Sequence, residues 1–167
     1  VRICLEKDII WCSDIHGTCA LRIGLKNLLG GHSGTEINKN RCNAIKMLAI
    51  ILQQLQEDGI CFDIADISGG TADNAIASEA SADIVCSTAD KEKIKQTFTQ
   101  LKQKFAEIYA GTEKNAVFTF EDTAMPDKVI DKAITKPLVS LLYVLHSGVY
   151  AMSEMDAQLP ELSSNIG

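Results

Sequence analysis

The stretch ICFDIADISGGTADNAIASEASADIVCST, residues 60–88, decides the fold, because it contains two strand candidates in direct succession. Residues 60–68 and 81–88 are both rich in residue types that favour strands. The segment that joins them contains the pair Gly69-Gly70, which is typical of a turn or loop. We therefore predict that the two strands are antiparallel neighbours in one sheet.

Three other segments have the spacing of apolar residues that is typical of amphipathic helices. In the clearest one, apolar side chains lie alternately four and three residues apart from Ile94 to Ile108. Pro137 lies inside the last one, so we expect a kink or two consecutive helices there. The predicted helices are 39–56 with Asn38 as the N-cap, 90–110 with Asp90 as the N-cap and Gly111 as the end, and 127–146 followed by Ser147-Gly148.

The remaining strand candidates complete a recognisable order. Residues 18–28 alternate between apolar and polar side chains, as a half-buried strand does. The order strand, helix, strand, strand, helix, strand, then a third helix predicts an α+β fold. It is a ferredoxin-like two-layer sandwich, with an antiparallel sheet, helices on one face and an extra C-terminal helix. The other strand candidates are 115–121, 149–152 and a segment before Trp11.

Composition limits the function classes. The chain has 167 residues, 46% of them hydrophobic, which fits one domain with a substantial core. The net charge of −6 and the lack of a basic cluster argue against nucleic acid and anionic membranes as partners. No apolar run approaches the ~20 residues that span a bilayer. The six cysteines include no C-x-x-C pair, so we expect reduced core thiols and a cytoplasmic setting.

The loop LLGGHSGTEIN, residues 28–38, is the strongest candidate for a functional site. It is not a G-x-S-x-G nucleophile elbow, because Thr35 stands where that motif has glycine, and no phosphate-loop or dinucleotide motif fits. Two interpretations stay open from the residues alone. The glycines form a tight turn with His32 at the surface, or Gly30, Gly31 and Gly34 hold the His32 imidazole rigidly to donate to a carbonyl or carboxylate.

Three blocks of sequence resemble the aminoacyl-histidine dipeptidases. These are also called Xaa-His or cytosolic nonspecific dipeptidases, a branch of the di-zinc aminopeptidase and carboxypeptidase superfamily. The resemblance runs from about Gly24 to the last residue. The blocks are GLKNLLGGHSGTEI at 24–37 with RCNAIKMLA at 41–49, ISGGTADNAIA at 67–77 with Glu79-Ala80, and SGVYAMS at 147–153 leading into SSNIG at 163–167.

The resemblance implies that residues 1–167 are a single lid, or satellite, domain of a larger metallopeptidase. In that family the catalytic domain holds two zinc ions through an H-x-D motif, further carboxylates, a Glu-Glu pair and a distal histidine. None of these motifs occurs here, so we expect no metal site in this chain, no activity of the chain alone, and a catalytic domain elsewhere in the parent protein. The two ends of the sequence look cut, which agrees with that expectation.

Two site residues follow from the resemblance. His32 matches the lid histidine that reaches the scissile carbonyl and stabilises the oxyanion, and it counts as both catalytic and substrate-binding. Asn74 matches the asparagine of the Gly-Gly-x-x-x-Asn motif, here starting at Gly69-Gly70, which contacts the carboxylate end of the substrate. The family's substrate-binding arginine has no clear match, and Arg41 is interpreted as a packing or capping residue on the first helix.

The resemblance thus implies a lid that closes over the active site of a cytoplasmic, zinc-dependent dipeptidase. The expected partners are a dipeptide substrate, the chain's own catalytic domain and a second copy in a homodimer. The expected dipeptides include those with C-terminal histidine. The alternative is a ferredoxin-like dimerisation or interaction module with no direct catalytic role. A parent sequence without H-x-D and Glu-Glu motifs would favour that alternative.

Overall fold

The computed structural model describes all 167 residues, and it contains three α-helices, a 3₁₀ turn and ten strands. The helices are α1 (Ala44–Glu57), α2 (Lys91–Tyr109) and α3 (Lys132–Val144), and the 3₁₀ turn is Thr88–Asp90. The strands are β1 (Trp11–Cys12), β2 (Cys19–Lys26), β3 (Gly31–His32), β4 (Phe62–Gly69), β5 (Ala75–Ile76), β6 (Ala80–Cys86), β7 (Val117–Thr123), β8 (Val129–Ile130), β9 (Gly148–Met152) and β10 (Pro160–Ser164). No helix combines the length and the apolar character that crossing a membrane requires.

Four strands form the central antiparallel sheet in the order β4-β6-β2-β7. The predicted pairing of 60–68 with 81–88 is confirmed, since β4 pairs with β6 from Phe62 opposite Cys86 to Gly69 opposite Ala80. Three two-stranded sheets surround it, β1-β8, β3-β5 and β9-β10. The strand order and the two intervening helices confirm the ferredoxin-like α+β sandwich. The strand expected before Trp11 is wrong, because β1 begins at that residue.

The core lies between one face of the sheet and the helices. Leu21, Ile23 and Leu25 of β2 point to this face and are buried together with the apolar sides of α1 and α2. Phe98 of α2 packs edge-on against Phe118 of β7, with ring centroids 5.7 Å apart. The predicted apolar stripe of α2 ends before Ile108, whose side chain is exposed. α3, the extra C-terminal helix, packs against α1 and β4.

The opposite face of the sheet is mainly polar. Arg22 of β2 donates two hydrogen bonds to Asp83 of β6, at 2.7 and 2.6 Å, and the pair lies in the middle of this face. At one end the small sheet β1-β8 covers it, where Val129 packs against Ala20 and Val85. The two faces therefore differ as expected for an antiparallel sheet with helices on one side.

The start of the first helix differs from the prediction. α1 begins at Ala44 rather than at residue 39, and its N-cap is Asn43, whose side chain accepts a hydrogen bond from the Lys46 amide. Asn40 has a φ of +51°, a left-handed conformation that interrupts a helix. Asn38 has another partner and donates its side-chain amide to the Gln158 carbonyl at 2.6 Å. Residues 39–43 are therefore part of the preceding loop.

Of the other two helices, α2 starts as predicted and α3 does not. α2 begins at Lys91 with Asp90 as its N-cap, although the Asp90 side chain makes no capping hydrogen bond. Ser87 caps the preceding 3₁₀ turn by accepting from the Ala89 amide. α3 begins at Lys132 and not at residue 127, because Val129 and Ile130 are held in β8 and the Asp131 side chain caps the helix. Pro137 lies within one continuous helix.

All six cysteines are free thiols. Cys42 and Cys86 are buried, as predicted for core thiols, whereas Cys61 is exposed although it lies in an apolar run. Cys61 precedes the first residue of β4, where the chain has not yet entered the sheet.

Candidate functional site

The glycine-rich loop begins where β2 ends and makes a sharp turn. Asn27, Gly30 and Gly31 have φ values of +63°, +59° and +121°, so three residues in this turn adopt left-handed or related backbone conformations. Glycine adopts these conformations without steric cost, which agrees with the tight turn predicted for the loop glycines. The turn leads into the short strand β3 rather than directly into the first helix.

The structure brings His32 and Asn74 close together. β3 pairs with β5, so that His32 lies opposite Ala75, the neighbour of Asn74. The Ser33 amide also donates to the Asn74 carbonyl at 2.9 Å. Both His32 and Asn74 are exposed, and the Asn74 side-chain amide makes no hydrogen bond within the chain. Two exposed residues from distant parts of the sequence are therefore held close together by their backbones.

The His32 imidazole has a defined tautomer. The Gly34 amide donates to its Nδ1 at 3.0 Å, so Nδ1 acts as an acceptor and the proton of the neutral ring lies on Nε2. The Nδ1–H tautomer would place two N–H groups against each other. A Cβ at Gly34 would lie 3.1 Å from Cε1 of the ring, which explains why glycine suits this position. His32 therefore offers an N–H donor to the exterior.

Glu36 and Arg41 form an ion pair beneath the loop. Arg41 donates from Nη2 to Oε1 of Glu36 at 2.6 Å and from Nη1 to Oε2 at 3.1 Å. The His32 amide, 3.1 Å away, donates to Oε2 of Glu36. This backbone hydrogen bond, followed by the charges of Arg41 and Lys39, lowers the pKa of Glu36 below its ordinary value. The interpretation of Arg41 as a residue of the first helix is wrong, since it precedes α1 and belongs to the loop.

Glu113 was not predicted from the sequence, yet it holds both ends of the loop. Its side chain is buried, and its two oxygens accept hydrogen bonds from the amides of Leu29 at 2.8 Å and Cys42 at 2.9 Å. Beside it, burial raises the pKa of Cys42 to about 12 and that of Tyr109 to about 12. Residues 29 and 42 lie too far from Glu113 in sequence for any local motif to reveal these bonds.

The last residues of the chain support the same region. The Asn165 side chain donates to the Ala75 carbonyl at 2.7 Å, and the Asn43 side chain donates to the Ile166 carbonyl at 2.6 Å. These bonds tie the C-terminal segment to β5 and to the N-cap of α1. The segment therefore supports the strand that follows Asn74.

Glycine suits the two predicted loop positions, Gly69 and Gly70, for different structural reasons. A Cβ at Gly69 would lie 2.8 Å from both Ala80 and Ile45, so glycine allows α1 to approach the sheet. Gly70 has a φ of +73° at the turn after β4. Both positions therefore affect how the backbone of this region packs and turns.

Comparison with known proteins gives three kinds of match. Residues 23–113 match the profile of the family described as the peptidase dimerisation domain. The chain is 29% identical over 146 residues to the cytosol non-specific dipeptidase of Escherichia coli (strain K12), which covers 87% of this chain and 30% of that protein. The crystal structure of aminoacylhistidine dipeptidase from Vibrio alginolyticus superposes with a TM-score of 0.88 and 26% identity, over 96% of this chain and 33% of that one. The chain thus spans about a third of the length of these relatives.

Proposed function

The chain belongs to the peptidase dimerisation domain family, and from this premise we propose that it is the lid domain of a metal-dependent dipeptidase. Residues 1–167 form this domain, and the catalytic domain lies elsewhere in the parent protein. The dipeptidase names of both relatives, and the high structural similarity to one of them, support a peptide hydrolase as the parent. A cytoplasmic location agrees with the name of the cytosol non-specific dipeptidase.

The observation that carries the proposal is the pairing of β3 with β5. It supports the proposal because His32, whose Nε2–H is free, pairs with Ala75, and the exposed Asn74 directly precedes that residue. When water attacks a peptide carbonyl, negative charge develops on the carbonyl oxygen, and a fixed N–H donor stabilises that charge. His32 supplies this donor, and Asn74 donates to the carboxylate at the other end of the dipeptide.

The metal belongs to the absent part of the parent. Two zinc ions in the catalytic domain would activate the attacking water. In this chain no group of three or more His, Cys, Asp or Glu side chains is arranged to hold a metal ion. The residues here therefore do not fit a metal centre, and the proposed role of the lid uses none of them as ligands. The isolated chain has no peptidase activity under this proposal.

A second candidate function is dimerisation, which the family description favours. The strands β4 and β7 form the two edges of the central sheet, where a second copy can add its own strand. Dimerisation and a catalytic lid are compatible in one domain. In the pure interaction module, however, His32 and Asn74 have no role in turnover.

Substitution of His32 and Asn74 in the full-length parent tests the proposal. His32→Ala should lower kcat by about 10²–10³, the usual cost of one oxyanion donor, while the melting temperature hardly changes. Asn74→Ala should act mainly on KM, because it binds the substrate in both the ground and the transition state. Normal turnover by His32→Ala, with any loss traced to a changed oligomeric state in sedimentation, would favour the interaction module instead.

A further inference from the structure

The Glu36–Arg41 ion pair encloses the backbone at Gly31. Arg41 donates to the Gly30 carbonyl, and Glu36 accepts from the His32 amide, so the pair holds the peptide groups on both sides of this glycine. A Cβ at Gly31 would overlap the guanidinium of Arg41 and the carboxylate of Glu36. The ion pair therefore occupies the space where the Cβ of any other residue type at position 31 would lie.

His32 is held at three of its four polar groups by the segment that follows it. Its amide donates to the Glu36 carboxylate at 3.1 Å, its carbonyl accepts from the Glu36 amide at 3.0 Å, and its Nδ1 accepts from the Gly34 amide at 3.0 Å. The remaining polar atom, Nε2, has no partner in the chain. The backbone contacts with Glu36 fix the root of the side chain, and the Gly34 contact fixes the ring.

The ion pair is shielded enough to act as a fixed support. The side chains of Arg41 and Glu36 are only 19% and 24% exposed. A planar guanidinium that donates two parallel hydrogen bonds to a carboxylate also defines the orientation of both groups. Lys39, by contrast, contacts Glu36 at 3.4 Å from a largely exposed position and adds little to this geometry.

We propose that Glu36 and Arg41 are positioning residues, which hold His32 so that Nε2–H points at the substrate carbonyl. This inference rests on the proposed function of His32 as a carbonyl donor. Neither residue contacts the substrate. Their loss displaces the donor, and a displacement of about 1 Å can cost up to about 10²-fold in rate. The effect falls on kcat, because the donor interaction strengthens in the transition state.

Arg41→Lys and Glu36→Gln test the ion pair, because each removes the two-bond geometry with little change in size. Arg22→Lys is the matched control, since it makes the same change in the Arg22–Asp83 pair on the distant face of the sheet. The first readout is ¹⁵N NMR of the His32 ring in this chain, which reports the tautomer without any catalysis. The second is the kinetics of the full-length parent with a dipeptide.

We expect the wild type and Arg22→Lys to show His32 mainly as the Nε2–H tautomer, and Arg41→Lys and Glu36→Gln to gain the Nδ1–H tautomer. In the parent, both should lower kcat about tenfold with KM changed less than about twofold. An unchanged tautomer and unchanged kcat would overturn the positioning role, even where His32→Ala is inactive. Unfolding of both variants, with Arg22→Lys folded, would also overturn it. If His32→Ala keeps full activity, the proposed function fails, and the NMR result still decides whether the pair orients the ring.

Discussion

Glu113→Gln should destabilise the whole fold, because one buried carboxylate accepts from two backbone amides that have no other partner. A glutamine keeps a single oxygen that can serve one of them, and its NH₂ group then faces the other amide. A hydrogen bond to a charged group contributes about 1.5–3 kcal/mol, and an unsatisfied buried donor costs about 1–3 kcal/mol. We therefore expect the free energy of unfolding to fall by about 3 kcal/mol, which lowers the Tm by roughly 6–12 °C in a chain of this size.

Thermal and urea unfolding followed by circular dichroism measure this effect. Glu107→Gln is the matched control, because Glu107 is exposed on α2, close to Glu113 in sequence. Its stability should stay within about 0.5 kcal/mol of the wild type. Hydrogen exchange adds a local readout, since the amides of Leu29 and Cys42 should exchange faster in Glu113→Gln. A variant as stable as the control, with both amides still protected, would refute the bracing role of Glu113.

Two further predictions follow from the pKa values. Burial raises the pKa of the Cys42 and Cys86 thiols to about 12. At about pH 8, iodoacetamide should therefore label the exposed Cys4 and Cys61 first. Peptide mass spectrometry should find Cys42 and Cys86 labelled only after unfolding. The lowered pKa values of Glu36 and Asp58 stabilise the fold above the carboxyl pKa of the unfolded chain, about 4, and this contribution is lost as pH falls through the folded pKa values. These groups should therefore have almost no effect on the urea midpoint between pH 7 and about pH 5. Below about pH 4 the urea midpoint should decrease. In Glu36→Gln this acid dependence should be smaller, and an equal dependence would contradict the assignment.

The topology was predictable because its signals are local. The residues of 60–68 and 81–88 have strand character, only a glycine-containing connection separates them, and the helical spacing of 90–110 is clear along the sequence. The helix ends were less predictable, since Asn38 and Asn43 are equally good caps by type. Contacts with Gln158 and with the C-terminal segment decide between them. For the same reason β8 was hidden inside a predicted helix, because its partner β1 is more than a hundred residues away.

In the candidate site, too, some residues were predictable from the sequence and others were not. Its two proposed functional residues, His32 and Asn74, follow from a resemblance carried by short motifs, and those motifs contain the paired strands β3 and β5. The supporting residues could not be read in this way. Glu36 and Arg41 flank the loop in sequence, but their contact with its backbone depends on the positive φ of Gly31. Glu113 depends on the packing of a turn after α2 against the start of α1.

Glu113 also makes residues 29–42 a loop that is structurally independent of the core. Its carboxylate binds the amides at both ends of this loop, so the distance between the ends is fixed independently of the residues between them. Closing a somewhat longer loop costs little, because the entropy of closure grows only with the logarithm of its length. Changes in sequence or length between Leu29 and Cys42 should therefore have little effect on the core. The loop can therefore change while the sandwich that carries it stays the same.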